Sequence, residues 1–459
     1  MTITETLAQY SADLRYSDLP AEVVDMAKKM TIQTVGAALA SKPMEFTQSV
    51  IDFGKKAYGP GNEATLMLDG SKTSLLGAAF VNSTVADNID WEDCSCTGHP
   101  SASLIPVSLA ICEARGLSGK EYIEGVIAGF EVYQRVARAI QPPEGHDNRK
   151  GWGLTSWQIY AAAAPAAKLF KLDAKKTEQV YGMAAVLTAV PSNIVHGTMS
   201  NVYHYQHGFC SHDGLMGALL VEHGVDGMQE AFDGPFSYGT NLTIEHKTEW
   251  YNKELGSRYL IMETLLKHWP TNMWVQTSLD IMNALVKEHR FGPDDVEEII
   301  VDPPTQSRMM FHPEGFEKII EAQYSIPFCI AALLCDPTPG PQWYTEKNMR
   351  DPKVLEVAAK VHGSDAEPQL LMDSFSNFRK GEFASKTITV KLKDGRTVSG
   401  SIDYPKGHPK NMLTMEEVCD RFRIEAAHTL SPEKVEEALD TLLHIDQLQS
   451  LEKIGEILH

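Results

Sequence analysis

Apolar residues return every three to four positions over residues 21–41, behind the start signal Ser17-Asp18-Leu19-Pro20, which is the period of a helix with one face in a core. The same pattern predicts helices over 104–114, 118–140, 156–170, 173–190 and 208–223. Of these, 118–140 opens on the capping box Ser118-Gly119-Lys120-Glu121, and 156–170 carries the alanine run 161–164. Small residues in that run and at Gly208 and Gly217 let helices approach closely, so the chain up to residue 260 predicts a compact helical body. Beyond a helix-like segment at 273–289 the period changes. Residues 296–301 alternate in part like a strand and stop at Pro303-Pro304, and Lys386–Leu392 and Thr397–Ile402 flank Asp394-Gly395, the strongest hairpin signal in the chain. Helical spacing resumes at Thr414, with Ser431-Pro432-Glu433 as a further start, and these last helices are expected to pack back on the first body. The fold class predicted is mainly α with a smaller α+β unit.

A chain of 459 residues exceeds one typical core, so two domains are expected. Its 61 acidic against 41 basic residues give a formal charge of −20, which repels phosphates and anionic surfaces and argues against nucleic acid or membrane as partner. No apolar run reaches the length of a membrane span, and residues 1–10 lack a basic stretch leading into an apolar one, so no signal peptide and a cytoplasmic location are expected. Seven cysteines, an odd number in a long chain, read as reduced thiols. The one close pair, Cys94-Ser95-Cys96, has only His99 near it, an incomplete ligand set, so no metal is expected.

Chemistry concentrates in Asp90-Trp91-Glu92-Asp93, followed by His99-Pro100-Ser101-Ala102-Ser103 just before an apolar helix. Three carboxylates and an imidazole so close together are costly unless solvated or used. A carboxylate beside a histidine fixes the ring tautomer and raises its basicity, which suits proton abstraction from carbon or protonation of a leaving hydroxyl. The competing reading is an acidic loop with a helix-capping histidine, placed at the positive end of a helix. Histidines 196, 204, 207 and 212 form a second concentration, with His204 and His207 three apart between Tyr203 and Tyr205.

The stretch 88–93 with Gly98-His99-Pro100-Ser101 resembles the MmgE/PrpD family, in which a D-x-D-D segment precedes an H-P-S segment. Gln206-His207-Gly208-Phe209 with Asp213-Gly214-Leu215, the alanine-rich segment 161–172, and Ala322-Gln323-Tyr324-Ser325-Ile326-Pro327 match further family segments in the same order, so the similarity spans nearly the whole chain. The resemblance implies a large helical domain (1–268 and 405–459) with an inserted α+β lid (269–404), and a homodimer. It also implies metal-free, cofactor-free chemistry on small polycarboxylates, as in 2-methylcitrate dehydratase, cis-aconitate decarboxylase and iminodisuccinate epimerase. By the same resemblance Asp90 and His99 take the positions of the family's catalytic aspartate and first histidine. The second histidine falls at Trp152, the lysine at Tyr203, a common lid-proximal histidine at Gln276, and Lys267 matches a position that is often lysine.

A phenol cannot replace a carboxylate-clamping lysine without loss of a full charge, so a substrate with fewer carboxylates is expected. Trp152, Trp157, Tyr203, Tyr205, Trp269, Trp274 and Phe311 fall in cleft-lining segments and suggest a more aromatic pocket, with ordinary core burial as the alternative for each. The catalytic candidates are Asp90, His99, Tyr203 and His204. The substrate-binding candidates are Glu92, Asp93, Arg149, Lys150, Trp152, His207, Lys267, Gln276 and Arg308, of which Arg149, Lys150, Lys267 and Arg308 would anchor a carboxylate. The function expected is a cofactor-independent lyase, a dehydratase or decarboxylase, acting by proton transfer at a carbon next to a carboxylate or carbonyl of a small organic acid. The alternatives are an isomerase or epimerase using the same groups, and a ligand-binding homologue whose catalysis has decayed.

Overall fold

A computed structural model describes residues 1–95, 98–141, 155–188, 200–371, 377–378 and 380–459. Helices dominate. The first core gathers around α1 (Ile3–Asp13), α2 (Ala21–Ala40), α3 (Glu45–Tyr58), α4 (Leu75–Asp87), α5 (Pro100–Arg115), α6 (Gly119–Ile140), α7 (Tyr160–Leu169), α8 (Ala174–Leu187) and α9 (Val202–Glu222). The alanine run 161–164 is fully buried here, where side chains of one carbon let α7 lie close to α6. Ser118 and Glu121 form the expected capping box at the start of α6.

The second core is built from α10 (Gln276–His289), α11 (Ile326–Cys335) and a four-stranded sheet of β1 (Val296–Asp302), β2 (Val361–Gly363), β3 (Lys386–Leu392) and β4 (Thr397–Ile402). Strand order is β2-β1-β3-β4, with β1 and β2 parallel and the other pairs antiparallel. Ile388, Val390 and Leu392 alternate inward, and Gly395 turns the β3–β4 hairpin with φ 89°, a conformation only glycine takes without strain. α12 (Met415–Ala426) and α13 (Pro432–Leu443) return to the first core, α12 lying along α2. The molecule is therefore mainly α with a smaller α+β part. Among the described residues no helix is long and apolar enough to cross a membrane.

Two helices differ most from expectation. α9 starts at Val202, six residues before the predicted 208, because Gly208 is an interior packing residue and not a start signal. A Cβ there would lie 2.2 Å from Thr84 Oγ1 and 2.7 Å from the Phe80 carbonyl oxygen on α4. The segment expected as one helix over 156–170 is a single turn, Thr155–Gln158, followed by α7.

Candidate active site

Between α4 and α5, residues 88–95 and 98–99 lie along the seam between the two cores. Their apolar members Ile89 and Trp91 belong to the second core, while Asp90, Glu92 and Asp93 are buried beside them. Asp90 has φ 55°, a left-handed conformation uncommon outside glycine that aspartate tolerates better than most residues. Its N–H donates to the Asp87 carbonyl at 2.9 Å.

Lys267, wholly buried, donates to Asp90 and, at 2.6 Å, to Glu92 Oε1. Burial alone would lower its pKa, but the charges of Asp90 and Glu92 outweigh it and keep it an ammonium. Burial pushes Asp90 up, against the pull of Lys267. Lys267 was expected to grip a substrate carboxylate; the structure commits its ammonium to the protein's own carboxylates instead. Among the described residues, donor atoms of Asp87, Asp90, Glu92 and His99 lie within 4.8 Å of one another, a set that could hold a metal ion, and Lys267 already supplies a positive charge to two of its members.

His99 is the N-cap residue of α5, yet its side chain caps nothing. Asp93 does that work: its Oδ1 accepts from the Ser101 N–H at 3.1 Å and from Ser101 Oγ at 2.5 Å. The capping-histidine reading is thus overturned, and Asp93, a substrate-binding candidate, is a helix cap. Burial raises its carboxyl to about 7 despite the Ser101 bonds. The freed His99 ring places Nδ1 2.6 Å from Glu92 Oε1 and 2.9 Å from the Asp93 carbonyl, and Nε2 3.1 Å from the Tyr203 hydroxyl. Burial and Lys267 lower its pKa, Glu92 and Asp87 raise it, and the balance stands at about 9. The ring is therefore an imidazolium at neutral pH. Burial, reinforced by Tyr324 and Asp87, pushes the Tyr203 phenol well above its usual value, so it keeps its proton.

On α9, His204 and His207 both reach Asp87 at the end of α4. His204 Nδ1 lies 2.6 Å from Asp87 Oδ2, and His207 Nε2 lies 3.2 Å from Oδ1. The close approach at Gly208 makes this possible. Burial would raise Asp87, but the two imidazoles hold it well below the usual carboxylate range. The opposite wall comes from the second unit. Arg308 lies 4.4 Å over the ring of Tyr324 and 5.0 Å over that of Trp274, with Nε donating to Asn272 Oδ1 at 3.1 Å, and Tyr324 meets Tyr203 edge-on with ring centres 6.1 Å apart. A groove of about 730 Å³ runs between the two units, lined by Met44, Phe46, Asn201, Phe316, Tyr344 and Arg350 among others, and Phe46 stacks on His204.

Of the other candidates, Gln276 is turned to scaffolding. Its Oε1 accepts from the His268 and Trp269 N–H groups and its Nε2 donates to Trp269 O, Thr271 O and Thr271 Oγ1, which uses its whole hydrogen-bonding capacity on the loop after Lys267. Arg149, Lys150, Trp152 and His196 lie outside the described residues. Trp157 is ordinary first-core packing, Tyr205 is half-buried against that core, and Trp269 stacks on Trp343 in the second core. Phe311 packs at the edge of the second core, and His212 pairs with Asp213 away from the cluster.

Sequence reasoning missed Asp87, Tyr324 as a wall residue, and Arg421. The last is buried on α12, where it donates to the main-chain carbonyls of Trp91 and Lys267 and, through Nε at 2.7 Å, to Glu425. It pins the two segments that carry the charged cluster, at Trp91 and Lys267, to the C-terminal helices. For Arg421 the available signal was its i,i+4 pairing with Glu425, which looks the same in a solvated helix.

Comparison with known proteins gives two family matches: the MmgE/PrpD N-terminal domain over residues 5–250 and the MmgE/PrpD C-terminal domain over 269–446. Similar curated proteins include cis-aconitate decarboxylase of Aspergillus terreus, 22% identical over all of this chain and 96% of that protein. The human cis-aconitate decarboxylase is 24% identical over 98% of this chain and 92% of its own length, and the Mus musculus enzyme is 22% identical over 100% and 93%.

Proposed function

The chain belongs to the MmgE/PrpD family, and from that premise we propose that it is a lyase acting on a small carboxylic acid by delivering a proton at a carbon next to a carboxylate or carbonyl. The observation that carries this reading is the buried His99 ring, with Nδ1 2.6 Å from Glu92 Oε1 and Nε2 3.1 Å from the Tyr203 hydroxyl, a pairing with Glu92 that favours the protonated ring. The Nε2 proton passes to the phenol oxygen as the phenol proton moves to the substrate, and His99 is left neutral. Lys267 and Asp90 set the charge around Glu92, and Arg308, beside Tyr203 and Tyr324, supports the substrate carboxylate. Names of relatives favour decarboxylation, in which CO2 leaves and the carbanion takes up this proton.

An isomerase is the second reading, and the Asp87–His204–His207 cluster favours it, because moving a double bond or inverting a centre needs a base as well as an acid. The test is proton NMR of the protein in deuterium oxide with mono-, di- and tricarboxylic acids, cis-aconitate among them, followed over hours. A product lacking CO2 or water supports the lyase. Deuterium incorporation at unchanged composition replaces it with the isomerase. Silence with every acid, alongside thermal stabilisation by one of them, overturns both in favour of a binding protein.

A further inference from the structure

Two neighbours act on His99 with opposite sign. Burial and the Lys267 ammonium, whose Nζ lies 3.3 Å from Nδ1, disfavour a proton on the ring; Glu92, whose Oε1 lies 2.6 Å from the same nitrogen, favours it. Over such short spacings small displacements change the balance, because Coulomb energy in a buried site is large and varies with separation. The behaviour of His99 therefore depends on how the segment carrying Glu92 is held against the segment carrying Lys267.

Regular structure holds them only in part. The two segments share a ladder of two residue pairs, Asp93 with Leu266 and Cys94 with Leu265, and beyond it Lys267 N–H reaches Glu92 O at 3.4 Å. Gln33 Nε2 donates to Glu92 O at 2.7 Å, and Trp91 Nε1 donates to His268 O at 3.1 Å. Arg421 spans both sides with one planar group: Nη1 donates to Lys267 O and Nη2 to Trp91 O. The guanidinium is itself fixed. Its central carbon lies 4.9 Å from the centre of the Trp91 ring, and Nε donates to Glu425 Oε1 at 2.7 Å, one turn along α12. Glu425 in turn fits against α2 at Gly36, where a Cβ would lie 2.1 Å from its Oε2. A rigid fork anchored at its base sets the spacing of two carbonyls, which an ammonium on a flexible stem does not.

We propose that Arg421 is a positioning residue for proton transfer: by bridging the carbonyls of Trp91 and Lys267 it sets the distances of Glu92 and Lys267 from the His99 ring. This deepens the acid–base reading above and rests on it. Arg421 touches no reacting atom and works through the two residues it places. The other titratable groups facing His99 are Asp90 and Asp93, which precede it in the chain, Asp87 at the end of α4, and Tyr203 and His207 on α9. Among the described residues none of these is bonded to Arg421, whose partners are Trp91, Lys267 and Glu425. Without the fork, Glu92 is free to close on Lys267, which it already meets at 2.6 Å, and to leave the ring.

The experiment compares the full-length wild type with Arg421→Lys and with the double variant Arg421→Met, Glu425→Met. The double variant removes both members of a buried pair and strands no charge, so it serves if the single change does not fold. Each protein is melted, assayed by proton NMR in deuterium oxide with the same acids, and titrated without ligand by nitrogen-15 NMR of its histidine rings, the His99 signal being the one absent from His99→Gln. Expected in both variants is a His99 ring that titrates about one pH unit or more below the wild type, with kcat lower by about 10- to 100-fold and KM within a few-fold. A folded variant with a lower melting temperature but unchanged kcat and an unchanged His99 titration overturns the proposal, since Arg421 then only ties α12 to the core. If the wild type acts on no acid, the lyase reading falls, and the His99 titration still decides whether Arg421 places its partners.

Discussion

The two walls of the site are made differently. The helical wall holds Asp87, Asp90, Glu92, Asp93, His99, Tyr203, His204, His207 and Lys267, a cluster of buried ionisable groups among which ion pairs interlock. The α+β wall offers Trp274, Tyr324 and one guanidinium, Arg308, laid across their rings. Proton chemistry needs groups whose charges are fixed relative to each other, and interlocking ion pairs supply that rigidity at a high desolvation cost. Recognition of an acid's body needs apolar area and a cation of fixed geometry, which stacked aromatics around an arginine supply. The difference suggests a division of labour, with reaction on the helical side and substrate selection on the other.

The largest break in that comparison should come from His99. His99→Gln removes the imidazolium while leaving a hydrogen-bonding side chain, and turnover should fall by about 100- to 10,000-fold with little change in melting temperature. Activity within a few-fold of wild type would take proton transfer off the helical wall. Lys267→Met comes next and acts on folding. It strands Asp90 and Glu92 without their ammonium, and a buried pair broken from one side costs about 3–5 kcal/mol, to be read from the denaturant midpoint. An unchanged midpoint would mean that the two carboxylates share a proton and need no cation.

Arg308→Met tests the other wall. If that wall selects the substrate, KM should rise by about 10- to 100-fold, matching the loss of one charge-assisted contact of about 1.5–3 kcal/mol, while kcat changes little. A fall in kcat at constant KM would instead place Arg308 in the chemistry and erase the division.

How far these walls could be read in advance depended on the range of the contacts. The β3–β4 hairpin was legible because Asp394-Gly395 acts on its own neighbours, and α6 because its capping box does the same. Asp90, Glu92 and His99 stood out as a local cluster of costly residues. Asp87 did not, because it ends an apolar helix and its partners lie 117 and 120 positions away, brought near only by the missing side chain of Gly208. The close-packing role of that glycine was legible from its size, but the helix start was misplaced there, and locality misled at Asp93, whose capping of α5 across eight residues left the nearer His99 free. Gln276 looked like a site residue because of where it falls, but its amide is spent on backbone that no local pattern reveals.

The effect expected to be smallest per pH unit follows from the charges themselves. Asp93 titrates near 7 in the fold, against about 4 in an unfolded chain. Below about pH 4 both states hold its proton; between there and 7 the folded state holds more, so stability should fall as pH rises through that window, by at most about 1.4 kcal/mol per pH unit. His99 continues the fall by the opposite route. Its folded value of about 9 exceeds the unfolded 6.5, so its contribution is complete below 6.5 and lost as pH climbs through 9. Glu131, raised by burial to about 7 against the pull of Arg135, slopes the same way as Asp93, so the curve of the wild type alone is not diagnostic. The difference between wild type and Asp93→Asn is. Asparagine keeps an oxygen for Ser101 but cannot ionise, and its denaturant midpoint should fall less steeply than that of the wild type between about pH 4 and 7 and run parallel to it above. Parallel curves throughout would mean that Asp93 is ionised in the fold, and that the helical wall carries one more negative charge than Lys267 and the histidines are arranged to balance.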